Sequence, residues 1–326
     1  MARILSYNIF VGGTRRVDHI TNIIRAANPD LVGLVEATNP RVVEELAQRL
    51  GMQYRLSGSS THTGNWQVAL LSRLPIVHVH SHMRPGILTK PVLEVCLEEK
   101  DGRELTVFVT HLVAAFSHGR GGNGIRRKEM QEIRRIMSSK QGTPHLLMGD
   151  FNTLAPGDRL KASILLRYLV ERDRRHQQNP NDSVGHPSLN FVVPAPLRFL
   201  NPLLRVIPRS KLLSALFDEA GSLYAPRGSI RLLCKAGYID CFRSTNPYAW
   251  GFTCPASAPA GRIDFIFASP ELAGRLSVCK VITEGNGSRA EQASDHLPVV
   301  AEFGENIPAE PAISRSLRVS STACPS

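Results

Sequence analysis

The chain has 326 residues, 42% hydrophobic and 21% charged, enough to bury a large core and ordinary for a globular protein. No run approaches the roughly 18 uncharged apolar residues a membrane span requires, and the opening MARILSYN lacks the basic stretch, apolar run and cleavage site of a secretory leader. Thirty-nine basic residues against 28 acidic ones leave a net charge of +11, and 31 of the 39 are arginine, whose planar fork suits phosphate oxygens.

In chain order, Arg3–Ile9 (RILSYNI) predicts a strand, and Arg16–Ala27 an amphipathic helix stopped by Asn28-Pro29. Residues 30–36 (DLVGLVE) read as a second, buried strand, and Pro40–Leu50 as a second helix ended by Gly51. Gln67–Ser72, Val92–Glu98 and Glu104–Thr110 follow as strands, the last two joined through Asp101-Gly102 as a hairpin. A basic amphipathic helix over Gly124–Ser138 precedes a strand at His145–Met148. Arg262–Ala268, Ser277–Thr283 and Leu297–Phe303 complete the strand set. Helices alternate with strands, yet hairpins are mixed in, so the pattern predicts an α/β protein with mixed sheets.

Two segments stand apart from that rhythm. Residues 304–326 are polar, Pro-punctuated and without period, and predict a disordered tail. Residues 155–235 interrupt the alternation with a helix at Arg159–Asp173 and an apolar, Pro-rich, Arg-dotted run over Leu189–Leu216. This segment carries 13 basic and six acidic residues, +7 of the whole net charge. The six cysteines (Cys96, Cys234, Cys241, Cys254, Cys279 and Cys324) form no C-x-x-C pair. They predict free thiols in a reducing, cytoplasmic compartment. Nothing in the sequence specifies an oligomeric state.

Polar residues recur at the strand ends. Asn8 closes the first strand, Glu36 the second, and His111 follows Thr110. Asp150 and Asn152 sit in GDFN, Asp264 within RIDFIF, and Asp295-His296 open the last strand in SDHLPV. Singly, each has a plain reading: Glu36 as a helix cap, Asp150-Phe-Asn152 as a turn, Asp295-His296 as a strand-entry cap. Together, carboxylates with histidines and asparagines and no cysteine make a hard, oxygen-rich donor set, suited to Mg²⁺ or its substitute Mn²⁺ better than to zinc.

The series SYNI (6–9), GLVEA (33–37), LLSRLPI (70–76), THL (110–112), GDFNT (149–153), GYIDCF (237–242), GRIDFIF (261–267) and SDHLPV (294–299) resembles the endonuclease/exonuclease/phosphatase superfamily, the deoxyribonuclease I-like metal-dependent phosphoesterases. The resemblance runs from about Ala2 to Phe303. It implies one domain over 1–303, a four-layer α/β/β/α sandwich of two mixed β-sheets flanked by helices, with the basic insertion at about 155–235 and the site at one end. It implies Glu36 as principal metal ligand with Asn8 beside it and Asp295 near the ion. Asp150 would orient or deprotonate the attacking water, and Asn152 would hold that water or the phosphoryl oxygens. His296, oriented by Asp264, would contact the scissile phosphate or act as acid–base group, and His111 would be a second phosphate-side histidine. The family often carries an arginine three residues before a glutamine in the helix after THL; here Lys128 precedes Gln131 at that spacing, which makes Lys128 the substrate-side candidate. An aromatic often follows the threonine before the RIDFIF strand, where this chain has Thr253-Cys254-Pro255.

The arginine-rich balance points to a nuclease or phosphodiesterase acting on nucleic acid. The abasic-site branch of the superfamily usually carries tyrosine where this chain has His111, which argues against that activity. The apolar and basic run at 189–216 supports a different substrate, a lipid or small-molecule phosphoester at an anionic membrane surface. A non-catalytic scaffold would have no need of the full acidic and histidine set.

Overall fold

Two six-stranded sheets lie face to face. The computed structural model describes residues 2–59, 66–114, 122–178, 189, 193 and 195–304. Its strands are β1 (Ala2–Asn8), β2 (Leu31–Val35), β3 (Gln53–Leu56), β4 (Ala69–Ser72), β5 (Ile76–His82), β6 (Val92–Glu98) and β7 (Glu104–His111). They continue as β8 (His145–Asp150), β9 (Ile239–Asp240), β10 (Asp264–Ala268), β11 (Leu276–Val281), β12 (Glu284–Gly285), β13 (Ser288–Arg289) and β14 (Val299–Phe303). One sheet runs β11-β14-β1-β2-β4-β3, the other β5-β6-β7-β8-β10-β9, and β12-β13 form a small ribbon. Only β1–β2 and β7–β8 pair in parallel, so both large sheets are mixed.

Period-two alternation sorts the side chains into three cores. Ile4, Val107, Val109, Leu146, Met148 and Ile266 point between the sheets. Leu5, Tyr7, Val32 and Leu34 point the other way, under helices α1 (Val17–Ala27) and α2 (Pro40–Leu50). Phe108, Leu147, Phe265 and Phe267 point outward from the second sheet, under α3 (Gly122–Met137) and the helix Gly228–Lys235. Central strands buried on both faces read as continuous apolar runs, which is why they stand out in the sequence. The four layers are those the family resemblance implies.

Two glycines set how closely the layers meet. A Cβ on Gly33 of β2 would sit 2.4 Å from the Met148 methyl, so glycine admits that side chain between the sheets. Gly149 of β8 has φ +142°, and a Cβ there would fall 1.9 Å from the Thr110 carbonyl oxygen of β7.

Differences from the sequence reading concentrate at sheet edges and within residues 155–235. Strands β3 and β5 were not anticipated; β3 is half-exposed, and β5 is an edge strand punctuated by His78, His80 and His82. The helix expected at Arg159–Asp173 is α4, Ala162–Gln178, starting after the turn at Pro156-Gly157. The apolar, Pro-rich run, given no secondary structure from the sequence, holds a 3₁₀ turn at Ala195–Leu200, short helices at Asn201–Leu204 and Ile207–Arg209, and a helix Lys211–Tyr224 whose Ser210 cap accepts from the Leu213 N–H. The tail after Gly304, with Cys324, lies outside the described residues. The other five cysteines are free thiols; Cys96, Cys241 and Cys279 are buried and Cys234 is exposed. No described helix is long and apolar enough to cross a membrane.

Candidate active site

Strand register builds the site. β7 pairs with β8 so that His111 lies opposite Asp150, and β8 pairs with β10 so that Asp150 lies opposite Asp264. His111, Asp150 and Asp264 therefore stand side by side across three neighbouring strands. Each shares parity with residues of its own strand that fill the space between the sheets, as Asn8 does in β1. The site continues the central core, with polar groups replacing apolar ones at its open end.

The Asp150 Oδ2 atom is the hub. It lies 3.2 Å from the Asn8 amide nitrogen, 3.7 Å from His111 Nε2 and 3.9 Å from His296 Nε2. Its other oxygen accepts the Asn152 backbone N–H at 2.8 Å, an arrangement helped by a left-handed Asn152 (φ +49°). Asn152 donates its side-chain amide to the Leu112 carbonyl at 3.2 Å. Across the sandwich, Glu36 is held by a backbone clamp. Phe10, Val11, Gly12 and Gly13 all have positive φ, and the Val11 N–H donates to Glu36 Oε2 at 2.7 Å. Glu36 itself sits at φ +59°, and the Gly12 N–H donates to its carbonyl. Positive φ at Val11 and Glu36 costs backbone strain, which persists only where surrounding contacts enforce it.

Asn8 was expected to offer oxygen to a metal. Its Oδ1 instead accepts the Phe10 N–H at 3.0 Å, so its NH₂ faces Glu36 (3.3 Å) and Asp150 and steers both carboxylates. His296 and Asp264 meet as expected, Nδ1 to Oδ2 at 2.8 Å. Thr253 fixes this pair by accepting the Asp264 N–H at 3.2 Å, and Ser294 ties it to β1 by donating to the Asn8 carbonyl at 2.6 Å. Asp295 lies beside the pair and lines a cavity with Phe10 and Arg16. Lys128 does not join the site. The buried face of α3 is set by Met130, Ile133 and Met137, which turns Arg126 and Glu129 inward and leaves Lys128 exposed. Arg126 donates to the Val113 carbonyl at 3.2 Å, while Glu129 accepts the Thr89 and Val113 N–H groups.

One cation at the site carried no sequence signal. Lys90 donates to the Leu112 carbonyl at 3.2 Å and stands over the Trp66 ring, its ammonium 5.5 Å from the ring centroid. Burial lowers its pKa to about 8, against the attraction of Asp150, Glu36 and Glu129. Burial, then the charges of Lys90 and His296, hold His111 well below the usual histidine range, so it is neutral. Burial also disfavours a charged His296, but Asp264, Cys254 and Asp295 outweigh it and hold His296 well above that range. The two histidines thus differ: one neutral, one cationic. Burial and the Asp264 charge push Asp150 up to about 7, and burial pushes Asp295 up to about 6.

Two buried carboxyls pushed upward beside Glu36 and Asp264 form a site short of positive charge, and its oxygen donors fit a hard divalent cation. Ligand atoms of Asp150, Asp264 and His296 all lie within 4.8 Å of one another. Asp264 and His296 spend their facing atoms on each other, and the Asn8 amide reaches both Glu36 and Asp150.

The Endonuclease/Exonuclease/phosphatase family matches residues 5–296. The chain belongs to that family. It is accordingly a phosphoester hydrolase, of a class that works with a divalent metal. Solved structures of similar fold include an AP endonuclease from Archaeoglobus fulgidus, with a TM-score of 0.61, 16% identity, and 93% of this chain and 99% of that one covered. A 3′ phosphatase from Neisseria, bound to a product DNA hairpin, gives 0.60 at 19% identity and the same coverages. A mannosyl-6-phosphatase from Bacteroides thetaiotaomicron gives 0.57 at 17%, again covering 93% and 99%. No curated protein matches the chain by sequence.

Proposed function

We propose that this hydrolase uses Mg²⁺, or Mn²⁺ in its place, to cleave phosphodiester bonds of nucleic acid by in-line attack of an activated water, in the cytoplasm. The observation that carries the chemistry is the convergence of Asn8, His111 and His296 on Asp150 Oδ2, with Glu36 clamped opposite. Glu36 is the principal ligand, Asp295 faces the same space, and Asn8 aligns Glu36 with Asp150. The ion would offset negative charge growing on the phosphoryl and leaving oxygens. Asp150, pushed toward neutral pH, is suited to take the proton of the attacking water, and Asn152 holds the loop that presents it. Cationic His296, backed by Asp264, binds the scissile phosphate or protonates the leaving group, while His111 supplies a second, neutral contact. The arginine excess supports nucleic acid as substrate.

A second reading, a lipid phosphoester, draws on one specific observation. Phe199, Leu203, Val206, Leu212 and Leu216 are all exposed, among Arg198, Arg205, Arg209 and Lys211, and no acid lies between residues 195 and 217. A hydrolysis panel separates the readings: single- and double-stranded DNA, anionic liposomes, a small diester and a monoester, each with Mg²⁺ and with EDTA. DNA cleavage that EDTA abolishes and Mg²⁺ restores is the expected result. Full activity in EDTA, or turnover of liposomes alone, would overturn the proposal. Glu36→Gln should abolish turnover while the far-ultraviolet spectrum stays unchanged.

A further inference from the structure

A cavity of about 350 Å³ opens beside Asp295, the residue immediately before His296. Its walls come from two parts of the chain. Phe10, Arg16 and Asp295 belong to the sandwich, whereas Tyr168, Arg172 and Arg175 belong to α4 of the insertion. The last three are spaced i, i+4, i+7, one face of a helix. Arg174 falls off that face and is exposed.

The cationic groups in the cavity are not equivalent. Arg16 is committed to backbone carbonyls, those of Ala293 (2.6 Å) and Phe10. Arg175 lies 3.4 Å from Glu171, and Glu291 at the rim is paired with Arg289 at 2.5 Å. Arg172 has no carboxylate partner among the described residues; its guanidinium rests 6.0 Å from the Tyr168 ring centroid. The cavity therefore offers an aromatic side chain, a guanidinium with no carboxylate partner among the described residues and enough room for a small ligand, beside Asp295.

Resting on the nucleic-acid reading above, we infer that this cavity is a nucleotide subsite adjoining the scissile phosphate, where Tyr168 stacks on a base and Arg172 neutralises the next phosphate. Both interactions are tolerant of base identity, because every base has a π-face and every linkage a phosphate. The insertion thus selects the substrate and the sandwich performs the hydrolysis.

The test uses the full chain with Mg²⁺, a single-stranded oligonucleotide and bis(4-nitrophenyl) phosphate, which has no flanking nucleotide. Tyr168→Ala and Arg172→Ala should each raise the oligonucleotide KM about tenfold, well beyond any change on the small diester. Tyr168→Phe should restore the low KM, since the ring remains. Arg172→Ala should also flatten the salt dependence by about 0.7 in log–log slope, the share of one phosphate on a single strand. Arg174→Ala on the outer face is the control and should change neither substrate. In EDTA, anisotropy of a fluorescent oligonucleotide should show the same loss of affinity without turnover. Equal losses on both substrates, or an Arg174→Ala effect as large as that of Arg172→Ala, would overturn the subsite and leave nucleic-acid hydrolysis standing. A wild-type protein that turns over the small diester but no oligonucleotide would overturn both.

Discussion

The sandwich and the helix Lys211–Tyr224, in the stretch the sequence reads as an insertion, are held in opposite ways. In β1, β2 and β8 every residue but the half-buried Arg3 is buried, and apolar side chains fill both faces. In the helix Lys211–Tyr224 no residue is buried, and Leu212, Leu216, Leu223 and Tyr224 are exposed. That helix is moored by polar ties instead. Asp218 accepts the Ser163 N–H at 2.8 Å and pairs with Lys161, and Ser222 accepts the Leu160 N–H at 2.9 Å. Just before α4, Asp158 is buried against Arg262 and Arg243, while Arg262 also grips Asp240, one polar tie between this stretch and the sandwich. A scaffold that must hold several catalytic groups in register uses burial on both faces. A segment that meets substrate can hang from a few directed bonds and open at lower free-energy cost.

Perturbing each side of this contrast should give effects of different kind and size. The largest lie at the site: His296→Ala and Asp264→Ala should each lower kcat by about 10² to 10⁴, with the double variant losing little more. Losses that multiply would show that Asp264 does not act through His296. Next is the tie at Asp158. Asp158→Ala leaves the buried Arg262 paired with Asp240 alone and its Nε–H without an acceptor, and should cost about 3 kcal/mol in chemical denaturation. A variant within experimental error of wild type would show that this tie adds nothing to stability.

A gentler probe is pH. Asp150 and Asp295 titrate higher folded than unfolded, so the native state holds protons the unfolded chain has released. The contribution of these two groups is therefore full below the ordinary carboxylate range, falls as pH rises, and is lost above about 7. A divalent cation relieves the same repulsion, so Mg²⁺ should raise the melting temperature more at about pH 8 than at about pH 5. An equal rise at both would place the ion away from these carboxyls. The smallest effect belongs to the exposed face: Leu212→Ser and Leu216→Ser should shift stability by no more than about 0.5 kcal/mol. A larger loss would mean that this face is covered in solution.

The central strands and the residues at their ends were legible in the sequence because burial on both faces writes an unbroken apolar run, and a polar residue closing such a run is conspicuous. Edge strands were not. Gln53–Leu56 is only four residues long, and Ile76–His82 carries three histidines and no fully buried residue, so neither writes an apolar run. Pro202 and Pro208 each sit in a first helical turn, where the N–H that proline lacks has no partner within the helix. At the site, residue type marked the carboxylates and histidines, but helix phase and long-range approach were hidden. Lys128 fits a spacing counted from Gln131, whereas the packing of Met130 and Ile133 decides that Arg126 turns inward. Lys90 precedes an ordinary strand and reaches the site only because Leu112 and Trp66 come to meet it.

Gly149 carries no functional group, yet it governs how much mutation the site can absorb. Its hydrogen atom is the only substituent that fits against the Thr110 carbonyl, and its φ of +142° is open to glycine alone. A methyl group there would act as a wedge between two strands whose next residues are His111 and Asp150. A position this intolerant of substitution is therefore one that a survey of polar residues would never sample.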